Sequence, residues 1–225
     1  MTASITRDRL LCRLVIAVAL AAGAASPADA EIIWTNYTTG SGLANDVVRG
    51  VYATGSTVYA ATSGGLSIST DSGASWTNRT TANGLGNNIV RGVYAAGSTI
   101  YAATTGGLSI STDSGASWTN RTTANGLGSN TVYGVYAAGS TVYAATALSL
   151  SISTNNGTNW TNYTTGSGLG NNIVNGVYAA GSTIYAATSG GLSVGVVAVP
   201  EPSTYAMALA GLACCYSLFR RRRAR

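Results

Sequence analysis

Through the middle of this chain, apolar and polar positions alternate in short bursts cut by glycine. Val90 to Ala95 alternates, with Val93 and Tyr94 directed inward, and Gly97-Ser98 follows as a turn. Thr99 to Thr104 is a second run, β-branched and aromatic, closed by Gly106-Gly107. Leu108 to Thr112 alternates Leu108, Ser109, Ile110, Ser111, and Asp113-Ser114-Gly115 makes a third turn. Trp118 to Thr122 is the fourth run, and Thr123 to Asn130 leads onward. Period-2 runs bounded by Gly, Asp and Ser predict four β-strands joined by tight turns. Between the chain's two ends no segment carries a helical period.

The same unit recurs. Trp34, Trp76, Trp118 and Trp160 stand 42 residues apart, and residues 67–86 and 109–128 are identical over 20 positions. The apolar positions keep one register from copy to copy, which a disordered low-complexity tract would not do. Four short strands per repeat of this length predict an all-β fold, a β-propeller of four four-stranded blades over residues 31–198. Glu31 to Tyr37 reads as the fourth strand of a blade without its first three. Asn171 to Val197 reads as three strands without a fourth. The N-terminal strand is therefore expected to close the last blade and leave no open edge. Two chains sharing a larger ring, or a flat stack of sheets, are the alternatives.

The ends have another character. Residues 1–30 carry Arg7, Arg9 and Arg13, then an apolar run from Leu14 to Ala25, then Ala28-Asp29-Ala30 as a cleavage site. That is the pattern of a secretory signal helix, removed by signal peptidase to leave Glu31 first. Residues 199–225 open on Val199-Pro200-Glu201-Pro202, continue through an apolar run from Tyr205 to Phe219, and end in Arg220, Arg221, Arg222, Arg223, Ala224 and Arg225. This order resembles the PEP-CTERM sorting tail of Gram-negative bacteria. The resemblance implies recognition in the inner membrane by an exosortase, removal of the tail, and delivery to the cell surface or its exopolysaccharide matrix. The apolar run makes a short transmembrane helix of roughly 22 Å against a hydrocarbon core of about 30 Å. The arginines after it hold the C-terminus in the cytoplasm. An ordinary membrane anchor is the alternative. Cys12, Cys214 and Cys215 all lie in these ends, so the exported domain stands without disulfides or thiolate metal sites.

Charge follows the same division. The whole chain carries +5, but residues 31–198 hold Arg49, Arg79, Arg91 and Arg121 against Glu31, Asp46, Asp71 and Asp113 and are neutral. No basic stripe for nucleic acid is available on the folded domain.

Two further resemblances cover the repeats. Ser69-Thr70-Asp71-Ser72-Gly73-Ala74-Ser75-Trp76 is similar to the Asp-box of sialidase-type (BNR) propellers. Ser111, Asp113, Gly115 and Trp118 repeat it, and Ser153, Asn155, Gly157 and Trp160 form a degenerate copy. The stretch Gly-Leu-x-Asn-Asn-x-Val, followed by Tyr-Ala-Ala-Thr-x-Gly-Gly-Leu, resembles the regulator-type propeller repeat. The Asp-box resemblance implies a structural turn away from any active site. A short carboxylate can accept N–H groups of its own turn, and glycine supplies a φ that few residues tolerate.

The sialidase resemblance raises a glycoside hydrolase as a reading, which implies a Tyr nucleophile and an arginine cluster, or else paired carboxyl groups. The chain has no His. Two of the domain's four acids fall in Asp-boxes and Glu31 is terminal, which leaves Asp46 alone. Arg49 and Arg91 are matched by Tyr133 and Asn175 in the later copies, so no three-arginine clamp forms at that position. No enzyme activity, metal or cofactor is expected. The candidate chemistry is a binding face made by the loops between blades, with Asn45, Asp46, Asn87, Asn88, Asn130, Asn171 and Asn172 around Arg49, Arg91, Tyr133 and Asn175. Amides, hydroxyls, Arg and Tyr suit neutral glycans or peptide backbone; the alternative is that these Asn only hold tight turns. Asn36, Asn78, Asn120 and Asn162 begin N-x-T sequons and read as polar residues of the outer strand. The expected role is an exported module that binds exopolysaccharide or an envelope protein, or a structural matrix component with no discrete ligand.

Overall fold

The computed structural model describes residues 32–197, and the signal and sorting segments expected at the ends lie outside that range. Residues 32–36 belong to a first unit, and Tyr37 opens the second, which holds every strand among the described residues. In the second unit the first sheet comprises β1 (Val48–Thr54), β2 (Thr57–Thr62), β3 (Gly65–Ser69) and β4 (Thr77–Arg79). The second comprises β5 (Val90–Ala96), β6 (Thr99–Thr104), β7 (Gly107–Ser111) and β8 (Thr119–Arg121). The third comprises β9 (Val132–Ala138), β10 (Thr141–Thr146), β11 (Leu150–Ser153) and β12 (Thr161–Tyr163). The last comprises β13 (Val174–Ala180), β14 (Thr183–Thr188) and β15 (Gly191–Val196). Each sheet is an antiparallel meander paired in chain order. These are the blades of a β-propeller fold, and their bounds follow the sequence expectation closely.

The closing strand expected from Glu31 to Tyr37 is not formed. The last sheet has three strands, and residues 32–38 carry no strand. Tyr37 makes a different contact. The Tyr37 ring meets Trp76 of the first sheet edge-on at 5.6 Å between centroids. Thr38 then starts a 3-10 turn, Thr39–Ser41, in which Leu43 N–H reaches back to Thr38 O at 3.1 Å. Such turns recur at Thr81–Asn83, Thr123–Asn125 and Thr165–Ser167. The sequence does not announce them, because three residues are too few to show a period.

Successive sheets pack face to face, and the core lies between them. Leu66 and Ile68 of the first sheet meet Leu85, Val90, Ile100 and Trp118 of the second. Leu108 and Ile110 meet Leu127, Val132, Val142 and Trp160 in the same way. The first strands approach most closely, and glycine makes that approach possible. A Cβ on Gly50 would stand 3.1 Å from Arg91 O, and one on Gly92 would stand 3.2 Å from Tyr133 O. Backbone against backbone at the first strand and tryptophan at the far edge make each blade a wedge.

The third strands depart from simple alternation. Every residue of β3 and β7 is buried, serines included. A strand covered on both faces cannot turn its polar residues to water, so each hydroxyl finds a partner. Ser109 Oγ donates to Asn120 Oδ1 at 2.6 Å and accepts Gly86 N–H at 3.0 Å, while Asn120 Nδ2 donates to Gly84 O at 2.9 Å. The sequon asparagines Asn78, Asn120 and Asn162 thus tie the outer strand to the connection that enters the blade.

The Ser-Asp turns are self-contained. Ser69 Oγ accepts Gly73 N–H at 2.8 Å and donates to Asp71 Oδ1 at 2.7 Å. Asp71 also accepts the N–H and hydroxyl of Ser75. Ser111, Asp113 and Ser117 repeat this geometry, and Asn155 serves the third turn by accepting Ser153 Oγ and Asn159 N–H. Hydrogen bonds from the Ser75 and Ser117 hydroxyls, with backbone N–H groups, hold the Asp71 and Asp113 carboxyls down to about 2. Gly73, Gly115 and Gly157 sit at positive φ, as do Ser72, Ser114 and Asn156 before them.

Two predictions arise from this packing. Leu108 is fully buried, so Leu108→Ala should cost about 2–5 kcal/mol in denaturant unfolding; Leu148→Ala, at an exposed position, should stay within about 0.5 kcal/mol. Asp71 and Asp113 bind their proton less readily when folded than in the unfolded chain, where Asp titrates near 3.9. Their stabilisation is complete above that value and is lost as pH falls towards 2. The double variant Asp71→Asn/Asp113→Asn should keep the fold, as Asn155 does. Its melting temperature should change less between about pH 4 and pH 2 than the parent's, measured by circular dichroism.

Candidate functional site

Arg49, Arg91, Tyr133 and Asn175 share one structural role that their sequence does not reveal. In each first strand the pairing slips by one residue around this position: between Val48 and Gly50, Val90 and Gly92, opposite Ala145 and Thr146, and between Val174 and Gly176. All four are therefore β-bulge residues, and a bulge re-aims the side chain it carries. Stacking of the first strands then sets them in a row. The Arg91 guanidinium lies 5.0 Å from the centre of the Tyr133 ring on the next sheet. Arg49 Nε donates to Ser63 Oγ at 3.0 Å, and Asn175 Nδ2 donates to Ser189 Oγ at 3.4 Å, the matching serine of the last sheet. Ser63 and Ser189 were not among the sequence candidates; pairing register, which the sequence leaves open, brings them in.

The loop residues around this row are largely engaged by backbone. Asn45, Asn87 and Asn171 each accept the N–H two residues ahead at 2.9 Å, and Ser129 does the same for Thr131 at 3.2 Å. Asp46, Asn88, Asn130 and Asn172 each accept the N–H of the residue seven earlier, at 2.6–2.8 Å, and so pin the 3-10 turn to the loop. The carbonyl oxygens of these amides, and one carboxylate oxygen of Asp46, are spent on local structure. Among the candidates, the bulge row varies most between copies, running Arg, Arg, Tyr, Asn, while the loop positions change only at Asp46 and Ser129.

A second row was not singled out from sequence. Tyr52, Tyr94, Tyr136 and Tyr178 follow one another with ring centroids 5.0, 5.1 and 4.8 Å apart. Burial, followed by neighbouring phenols, pushes Tyr94 and Tyr136 above the usual tyrosine value. Their constant spacing at 42 residues was the available signal. Among the described residues no three His, Cys, Asp or Glu side chains gather at metal-binding distance.

Comparison with known proteins bears on both the domain and the tail. A family described as the PEP-CTERM protein-sorting motif matches residues 198–223. No curated protein matches the chain. Among solved structures, the extracellular domain of the hybrid two-component system BT3049 from B. thetaiotaomicron is similar over 65% of this chain and 21% of its own, at 20% identity and a TM-score of 0.58. The computationally designed Ika4 protein is similar over 68% of this chain and 92% of its own, at 6% identity and a TM-score of 0.53. An ancestral GH74 enzyme is similar over 70% of this chain and 25% of its own, at 23% identity and a TM-score of 0.51. The chain thus spans only a fifth to a quarter of the two natural-type neighbours, and the likeness is one of fold. What the chain itself carries is a domain of β-propeller blades followed by a C-terminal PEP-CTERM protein-sorting motif.

Proposed function

We propose that this protein is an exported propeller that binds a neutral polysaccharide of the cell envelope or its matrix without transforming it. The sorting motif implies export to the cell surface and processing by an exosortase. We place the chain in a Gram-negative bacterium, with an inner-membrane intermediate before the tail is removed. The observation that carries the binding reading is the row Arg49, Arg91, Tyr133 and Asn175. It presents two guanidinium groups, a tyrosine ring and an amide at one bulge position, with Arg91 against Tyr133, where the repeats differ most in chemistry. Guanidinium and amide N–H groups donate to sugar hydroxyls, and a tyrosine face stacks on a pyranose ring.

A catalytic role has little support in the geometry. Asp71 and Asp113 have both carboxylate oxygens occupied within their own turns, which we read as structural Asp-boxes, and Asp46 holds a loop. Asp46, Asp71 and Asp113 are the only acidic side chains among the described residues, which leaves no carboxyl pair for the bulge row. The occupied loop asparagines favour a second reading, in which the protein is a structural matrix component or docks an envelope protein.

Retention of the full chain on the producing strain's exopolysaccharide tests the proposal. Arg91→Ala and Tyr133→Ala should each weaken binding roughly tenfold, about 1.4 kcal/mol, and release no sugar in any sample. Unchanged retention in both variants would sink the binding face, and a released product would sink the non-catalytic reading.

A further inference from the structure

The inter-blade interface that repeats within this chain is left half-made at both ends of the array. In the first sheet Val48 is 45% exposed, where its counterparts Val90, Val132 and Val174 are fully buried. In the last sheet Leu192 is 68% exposed and Tyr185 39%, where Leu108 and Tyr101 are at 0% and 3%. The two open faces carry the residues that meet at the internal interfaces. One offers the valines of a following blade, the other the tyrosines, Leu192 and Val194 of a preceding blade.

A third feature points to the same partner. Between the first and second sheets Trp118 packs with Ile68, Leu85 and Ile100, and Trp160 takes that role at the next interface. Between the third and last sheets the equivalent residues are Ile152, Leu169 and Ile184, and no tryptophan accompanies them. Those three instead line a cleft of about 410 Å³ that runs along β15. Pro202 stands 42 residues beyond Trp160, so the tryptophan of the series left over for this position is Trp34. The strand that follows it would pair as β4 pairs with β3, where Leu66, Ser67 and Ile68 face Arg79, Asn78 and Thr77. The corresponding partners are Leu192 with Tyr37, Ser193 with Asn36, and Val194 with Thr35. Ser193 is the one third-strand serine of this series without an asparagine at its hydroxyl; it accepts only Gly170 N–H.

We propose that two copies of this chain close one eight-bladed ring, each lending its segment Ile32 to Tyr37 to the last sheet of the other. Trp34 fills the partner's cleft, Asn36 bonds Ser193, and the valine face of the first sheet covers Leu192 and Tyr185. A second copy is required because Tyr37 packs on Trp76, Gly42 O accepts Asn78 Nδ2 and Ala44 N–H donates to Ser67 Oγ, all in the first blade. The segment reaches a β15 edge only where a last sheet lies beside a first sheet. Within one chain those two faces stay open to solvent. Eight blades is the upper end of the range that propellers adopt, and a third copy would exceed it. Each contact is head-to-tail, and a two-fold axis closes the pair without leaving an edge.

The test uses the full chain in mild detergent with Cys12, Cys214 and Cys215 replaced by serine. Asn36→Cys and Ser193→Cys are placed on separate, differently tagged copies and also together on one copy. Separate copies should cross-link to a mixed species of twice the mass, and the double variant should give a dimer joined at both edges. A cross-link confined within one chain, or none in either arrangement, would overturn the proposal. Light scattering supplies an independent reading. The parent should have twice the chain mass, Trp34→Phe should keep it, and Trp34→Ala should dissociate at least tenfold more readily with an unchanged β-sheet spectrum. A monomeric parent, or a Trp34→Ala variant that dimerises as the parent does, would equally defeat it.

Discussion

Contact between bare backbones at the first strand is the constraint on which the rest depends. Gly50 and Gly92 leave so little room that a Cβ there would press on the next blade's backbone at 3.1 and 3.2 Å, and at Gly134 the next backbone stands 3.6 Å from where a Cβ would be. With the sheets touching at that edge and held apart at the other by Trp118 and Trp160, they fan instead of lying flat. The same approach brings Arg91 over Tyr133 and sets the tyrosines of successive sheets in one row. Both candidate surfaces are thus products of glycine spacing, and their side chains sit where the fan places them.

Stacking sheets on both faces creates a second demand, namely that polar groups of the inner strands be satisfied without water. The protein meets it with short side chains bonded over short range: serine to asparagine across one strand pair, serine to aspartate within one turn. This solution uses almost no charge. The domain is neutral, and Asp71 and Asp113 are tied to hydroxyls and N–H groups of their own turns. The chemistry left for recognition is correspondingly that of hydroxyls, amides, tyrosine and a few guanidinium groups, which matches the proposed neutral glycan better than an ionic ligand.

The strands were legible because each is short, period-2 and fenced by glycine, and their order in the sheets was legible because a meander pairs neighbours in sequence. Three things were not. The bulge at Arg49 and its counterparts depends on which residue of the second strand lies opposite, and no local pattern encodes that. Ser109 and Ser111 alternate as if one face were wet, yet both faces are dry, so alternation misjudged them. The asparagines at 45, 87 and 171 suit a ligand and a turn equally well on paper; their bonds to N–H groups two residues on show the turn using one side of each amide. The segment before Thr38 was expected to be a strand and residues 32–38 form none; a strand needs a neighbour, and Tyr37 packs on Trp76 instead.

The meander has a consequence for how such a chain can change. Every ladder is completed inside one 42-residue repeat, and each blade touches only those before and after it. Stability in such an array is a sum of units and nearest-neighbour interfaces. A duplication or deletion of one whole repeat would therefore leave every remaining strand with its own partner. The identity of residues 67–86 and 109–128 has the mark of such an event. Gene length and blade number can move together by unequal recombination, with the fold intact at each step.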